Sequence, residues 1–414
     1  MVYKQTDVLP ITERTTQSNA ERWLKIIKYG ESGVVIQIQD DCEYRVSEIL
    51  NNKSLLKEVL GPYYRKYLLT YVPINKAGIV SAMFDELLIV VRSRAISIPK
   101  NISKLETLCE YLINEGYNLG FFVTGVGELS YEIQYDELRV IEQILQTTHN
   151  VSVILFSDRD VTSEKYSQLV DKCSLLFDHV EIYPLYSIED ALQFVKYNES
   201  MWQMSLSSQV NQEIINKCGG YLWLISHIQR QLRDDFEMKW SDLVDDAGLL
   251  IKLESILTKL DTVSRELLRV VESGSISKTQ RQTHEFKFLV SVGLIQDQDG
   301  ALSLGIPLLS LAFKRIVDLD EIRLVEGNLH VGANNIMNEM SESEGKVLVH
   351  LVKNKQVVVS REEIGQILWS DKPATEYSDW AIDRVMSRLR HKLKQVGISP
   401  NLLRTVKRKG YIFG

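Results

Sequence analysis

The chain has 414 residues, 44% hydrophobic and 25% charged, with only 8 Pro and 22 Gly, which excludes collagen-like and low-complexity proteins. At about 150 residues per domain that length holds two to four domains. The formal net charge of −7 speaks against a nucleic-acid partner until the chain is divided: residues 321–414 carry 15 basic and 11 acidic side chains, a net of +4, which leaves −11 on the rest. Such asymmetry points to a nucleic-acid module on an acidic body.

In chain order, residues 20–29 read as a helix behind a polar lead. Val34-Val35-Ile36-Gln37-Ile38 is a short apolar strand, 45–60 a helix and 67–72 a second strand. A helix at 102–115 precedes a strand at 119–123, and a helix at 135–148 precedes a strand at 151–156. A helix at 164–171 leads to a strand at 180–183. Several of these strands are continuous apolar runs, the mark of strands buried on both faces in a parallel sheet. Strand–helix alternation supports the same α/β class.

From Ser187 the pattern turns helical, at 190–197, 208–217, 221–232, 240–260 and 262–271, with Gly219-Gly220 as a helix stop. Asp299-Gly300 between the apolar stretches 294–296 and 301–304 predicts a hairpin. Helices followed by a small hairpin suggest a winged-helix unit at 245–318. Residues 324–331 and 336–340 suggest short strands. Ser341-Glu342-Ser343-Glu344 and Ser360-Arg361-Glu362-Glu363 are capping boxes that open two helices. A turn-rich link with Pro373 leads to a third helix at 379–396, whose apolar positions Ile382, Val385, Met386, Leu389 and Leu393 keep helical spacing. Segments 403–406 and 411–413 flank Lys407-Arg408-Lys409-Gly410, a basic hairpin tip.

With its apolar stripe inward, the third helix points Arg384, Ser387, Arg388 and His391 outward, flanked by Arg390 and Lys392. A helix with a basic outer face behind a capped two-helix unit has the geometry that enters a major groove, and Arg suits bidentate contact with guanine. A solvated basic face is the alternative for the run alone; the basic hairpin behind it favours DNA. The order of helices and hairpin is that of a winged helix-turn-helix. Residues 360–364, Leu368-Trp369, 383–393 and 403–411 resemble the OmpR-type winged-helix DNA-binding domain of bacterial response regulators. The resemblance covers about 322–414. It implies that Arg388 reads bases, that Arg390 and Thr405 touch phosphate, and that Lys407, with Arg408 and Lys409 on the wing, reaches the minor groove. It also implies that the 369–380 loop meets RNA polymerase. Val385 departs from relatives that place a polar base-contacting residue there, so their sequence preference does not transfer.

The body lacks the aspartate that would end the third strand of a receiver domain; Val123-Thr124-Gly125 stands there. Its order of elements, with Tyr183-Pro184-Leu185-Tyr186-Ser187 before a helical lid and Cys218-Gly219-Gly220-Tyr221-Leu222 as a glycine turn, resembles P-loop ATPases of the STAND or origin-recognition type over about 20–318. A P-loop needs glycines to cradle phosphate, a Lys for the terminal phosphates and Ser/Thr for magnesium. This chain has Gln39-Asp40-Asp41-Cys42-Glu43-Tyr44-Arg45-Val46, and Thr124-Gly125 where an acidic pair would hold magnesium.

No HExxH or GxSxG motif occurs, and Gly125-Val126-Gly127 lacks the rest of a dinucleotide fingerprint. His227, alone on an apolar helix, reads as core. The four cysteines (Cys42, Cys109, Cys173, Cys218) form no CxxC pair and read as reduced, buried thiols. No apolar run approaches the ~18 residues of a membrane helix, and no secretory signal is visible.

The expected fold is therefore α/β plus α+β. Residues 1–186 form a degenerate P-loop-like parallel-sheet domain, 187–244 a helical lid, 245–318 a middle winged helix and 322–414 an OmpR-type winged helix. The expected function is a cytoplasmic, nucleoid-associated transcription regulator that binds double-stranded DNA. Its body would be a non-enzymatic sensing or oligomerisation platform, with no cofactor, metal or membrane partner. A homo-oligomer and RNA polymerase complete the expected partners. Two alternatives are a nucleotide-dependent ATPase switch targeted to DNA, and a DNA-binding initiator or structural protein without a promoter role.

Overall fold

A computed structural model describes the chain except for residues 1–7, 40–41, 75–77, 126–130, 236–239, 317–321, 326, 332–333, 356, 370–377, 397, 399–401, 407–408 and 414. Two compact units result: Met1–Lys252 with Val270–Leu309, and Leu253–Arg269 with Ser310–Gly414.

The chain begins α1 (Glu13–Lys28), β1 (Gly33–Ile36), α2 (Cys42–Asn51), α3 (Lys53–Leu60), β2 (Tyr67–Pro73), α4 (Ile79–Ser93), α5 (Leu105–Asn114), β3 (Asn118–Thr124), α6 (Tyr131–Thr147), β4 (Val151–Ser157), α7 (Ser167–Lys172) and β5 (His179–Ile182). The five strands form one parallel sheet in the order β2-β3-β4-β1-β5. Every residue of β1 and β4 is buried, as strands covered on both faces require.

Two local features differ from the sequence reading. The single helix expected at 45–60 is two, because Asn52 breaks it and its side chain caps α3 by accepting from the Leu55 amide at 3.1 Å. The helix α4 was not expected at all. Its buried positions Ile79, Met83, Leu87 and Val91 recur every fourth residue, but the unbroken apolar run 87–91 hides that period.

Next come α8 (Ile188–Trp202), α9 (Ser208–Cys218), α10 (Leu222–Asp234), α11 (Trp240–Val244), α12 (Ala247–Thr258), α13 (Thr262–Glu272), α14 (His284–Ser291), β6 (Ile295–Gln298), β7 (Ala301–Leu304) and α15 (Ser310–Ile316). The glycine turn between α9 and α10 is sterically required. Gly219 and Gly220 both have positive φ, and a Cβ on them would lie 1.5 Å from the Gly305 carbonyl oxygen and 2.1 Å from that of Tyr186. The hairpin turns at Asp299 and Gly300 with φ of 54° and 90°, the primed geometry that suits Asp-Gly. His227 is not plain core: its Nε2 lies 2.6 Å from Asp246 Oδ1 and its ring stacks on Trp223. Cys109, Cys173 and Cys218 are buried and unpaired; burial pushes the Cys109 thiol up to about 12.

Helix starts in the body meet at Asp190, which is 3% exposed. Its carboxylate accepts from the Thr12 amide (3.1 Å) and hydroxyl (2.6 Å), from Thr15 Oγ1 (2.9 Å) and from Ser187 Oγ (2.8 Å). One buried acid thus ties together the residues that cap α1 and α8, Thr12 and Ser187, at the positive ends of both helices.

The C-terminal unit carries an antiparallel sheet of β8 (Ile322–Val325), β9 (Asn328–Val331) and β10 (Asn334–Asn335). After it come α16 (Glu342–Lys353), β11 (Val358–Val359), α17 (Arg361–Leu368), α18 (Asp379–Gln395), β12 (Leu403–Val406) and β13 (Gly410–Phe413). The strand expected at 336–340 is instead a single 3-10 turn, Met337–Glu339, because Asn335 Oδ1 accepts from the Met337 amide at 2.9 Å and bends the chain. Both capping boxes form as expected. Among the described residues no helix is long and apolar enough to cross a membrane.

Asp190→Ala should destabilise the protein by about 2–4 kcal/mol, because four donors lose their one buried acceptor. Urea unfolding of the full chain followed by tryptophan fluorescence measures this.

Candidate nucleic-acid interface

One face of α18 closes the C-terminal core: Ile382, Val385, Met386, Leu389 and Leu393 are all buried against Leu348, Leu351, Ile364 and Phe413. Val385, the position where the sequence departs from its relatives, belongs to that core and not to the outer face. The outer face carries Arg384, Ser387, Arg388 and His391, all exposed. Trp380 stands at its start, 68% exposed, with the Arg384 guanidinium 5.4 Å from its ring centroid. The link 370–377 ahead of it lies outside the described residues.

A buried acid sets the angle of this helix. Glu344, at 3% side-chain exposure, accepts from Arg388 Nε at 2.7 Å and pairs with Lys392 Nζ at 3.1 Å. It also closes the capping box by accepting from the Ser341 amide at 3.0 Å. Burial opposes its charge, but the Ser341 amide, Lys392 and Arg388 outweigh burial and bring its pKa down to about 2. Arg388 therefore leaves α18 with its Nε already oriented.

On the other flank, Arg390 Nε donates to the Leu403 carbonyl and Nη2 to Thr405 Oγ1, both at 2.8 Å. These two expected phosphate contacts thus meet each other and bind α18 to β12. Asp383, the one acid among residues 381–414, accepts from Arg361 Nη2 at 2.7 Å and from the Tyr411 hydroxyl. Arg361 and Arg390 lie over the Tyr411 ring at 5.4 and 5.9 Å. Burial and the Asp383 bond raise the Tyr411 phenol to about 12. The capping box read from the sequence includes Glu344, but its pairs with Arg388 and Lys392, and the role of Asp383, are not visible there. A lone acid among nine basic residues was the available signal for Asp383.

The wing is the β12–β13 hairpin in the sheet β11-β13-β12. Gly410 lets it dock on β11: its φ is 142°, and a Cβ there would lie 2.0 Å from the Val359 carbonyl oxygen. Lys409 is exposed; Lys407 and Arg408 lie outside the described residues.

At the carboxyl end of β1, Gln39 is 4% exposed and donates to the Gly220 carbonyl at 3.1 Å while accepting from the Leu222 amide at 3.0 Å. Gln39 is thus a strut from the end of β1 to the start of α10. Thr124, at the end of β3, has its hydroxyl 3.3 Å from that of Tyr71. Asp40 and Asp41 lie outside the described residues.

Residues 337–413 match the family described as transcriptional regulatory protein, C terminal. This is the OmpR-type winged helix, and the chain carries a DNA-binding regulatory module. No curated protein sequence matches the chain. Among solved structures, a Walker-type ATPase of Pyrococcus abyssi is similar at 12% identity and a TM-score of 0.48, over 73% of this chain and 96% of its own. The Cdc6p protein of Pyrobaculum aerophilum is similar at 11% identity and a TM-score of 0.40, over 75% and 96%. The ORC1 protein of Aeropyrum pernix, in complex with DNA, is similar at 13% identity and a TM-score of 0.36, over 99% and 90%. The expectation of a non-enzyme is corrected here: one of these similar structures is described as a Walker-type ATPase.

The carboxyl of Glu344, lowered from its ordinary value of 4.5, stabilises the fold fully above that value, and the contribution is lost as pH falls towards about 2. Glu344→Gln should therefore cost about 2–3 kcal/mol at neutral pH. The gap from wild type should close between about pH 4.5 and 2. Amide exchange along α16 and α18 in the full chain reads both effects.

Proposed function

We propose that this chain is a sequence-specific transcription regulator that reads duplex DNA with α18 in the major groove. The observation that carries the reading is the two-sided character of α18: a buried apolar face, and an exposed face of Arg384, Ser387, Arg388 and His391. Arg388 is the base reader, and its bond to Glu344 supports that role by orienting the guanidinium before DNA arrives. Arg390 and Thr405 face the backbone as a linked pair. Lys407, Arg408 and Lys409 on the wing contact phosphate or the minor groove.

The parts divide as 1–186, 187–244, 245–318 and 322–414. The first three serve as a sensing or oligomerisation body in the cytoplasm. Its net charge of −11 opposes non-specific binding to DNA. A second copy of the chain and RNA polymerase, through residues 369–380, complete the assembly. The DNA-reading role stands independently of any nucleotide chemistry in the body.

The test starts from a duplex selected out of a random pool by the full chain. Arg388→Ala should lose about 1–3 kcal/mol on that duplex and relax preference at one base pair. Lys407→Ala should weaken selected and scrambled duplexes alike and reduce the salt slope by about one. Anisotropy titrations at several salt concentrations separate the two. Equal loss on both duplexes for Arg388→Ala would overturn α18 as the reader.

A further inference from the structure

The body has a cleft of about 540 Å³ at the amino ends of β2 and β3. Tyr67, the first residue of β2, pairs with Asn118, the first of β3, and Tyr117 precedes it. All five strands are parallel, so this cleft lies at the opposite end of the sheet from the loop that follows β1. It is separate from the place where a P-loop fold holds its nucleotide.

Three kinds of side chain line it. Leu50, Leu56 and Leu69 give an apolar floor. Tyr64, Tyr67 and Tyr117 bring three aromatic rings. Lys53, Arg65 and Arg94 bring three cations and the lining holds no acid, on a body whose net charge is −11. No carboxylate of the described residues pairs with these three cations. Arg94 Nη1 donates to the Arg65 carbonyl at 2.8 Å, which ties the turn before β2 to the chain after α4. The bond to Arg65 lowers the Tyr64 phenol, and the fields of Arg65, Lys53 and Lys57 lower it further, as expected where positive charge lacks a counter-ion.

We infer that this cleft binds an amphipathic anion, a small molecule with a flat apolar body and one acidic group. The volume falls in the ligand-pocket range of roughly 300–1,000 Å³. The leucines and tyrosines cover the apolar body and stack on its ring. The lysine and arginines, all three exposed at its rim, meet the acidic group. A wholly polar anion would leave the apolar floor wet, and a neutral ring would leave the cations without a counter-ion. The inference rests on the cleft alone and is independent of the DNA-reading role.

The probe is 8-anilinonaphthalene-1-sulfonate, titrated into the full chain and followed by its fluorescence. Saturable binding at one site per chain is expected. Naphthalene-1-carboxylate should displace it, whereas naphthalene-1-carboxamide and inorganic phosphate at equal concentration should not. The Arg65→Gln/Arg94→Gln double variant should bind the probe at least tenfold more weakly. Lys53→Gln, a change at an exposed position, should lose a smaller but measurable factor with unchanged circular dichroism. Equal binding by the variants would overturn the site. Equal displacement by the carboxamide would reduce it to an apolar surface, and displacement by phosphate to a simple anion site; either result contradicts the inference.

Discussion

The helix proposed to read DNA, α18, depends on a buried carboxylate. The two acids of α18, Asp379 and Asp383, both lie in its first turns, so its later cationic flank, Arg388 and Lys392, has no acid of its own on the helix. Glu344 supplies it from 44 residues away. It is the third helical residue of α16, where it closes the capping box, and it also receives Arg388 and Lys392 from α18. One group therefore starts one helix and sets the angle of the other. Its burial would be unfavourable alone, and three donors reverse that. Asp383 works from the other side, joining the start of α17 through Arg361 and the wing through Tyr411. The outer face of α18 is held between these two acids, so in the proposed complex its side chains would meet a duplex from a fixed base.

The body uses the same device. Asp190 joins the starts of α1 and α8. Glu142, 3% exposed, accepts from the Leu175 and Leu176 amides at 3.2 Å. Gln39 links the end of β1 to the start of α10. In each case a buried polar side chain satisfies backbone amides that would otherwise lack partners. Gln39, in the loop whose sequence was compared with a phosphate loop, thus has a structural task of its own.

Much of this was legible from residues alone, for reasons that can be stated. Continuous apolar runs located the strands of the parallel sheet. The spacing of Ile382, Val385, Met386, Leu389 and Leu393 fixed the inward face of α18, and the burial of all five agrees. Ser341 and Ser360 marked two helix starts to the residue. What escaped was of two kinds. Local pattern failed at α4, whose apolar run has no visible period, at Asn52, which divides one expected helix, and at the short α14. Distant pairing failed everywhere: Arg388 with Glu344, Asp383 with Tyr411, and the cleft, whose lining comes from separate segments between Leu50 and Tyr117. Periodicity reads one element at a time, and these features exist only between elements.

The central claim is that α18, held by Glu344 and Asp383, enters the major groove. Dimethyl sulfate interference on a duplex bound by the full chain tests it most directly, because methylation at guanine N7 marks the major groove and at adenine N3 the minor groove. The account predicts that N7 methylation at one or more guanines in the site abolishes binding, with N3 effects confined to the flank reached by the wing. Interference at adenine N3 alone, with every guanine N7 tolerated, would contradict it.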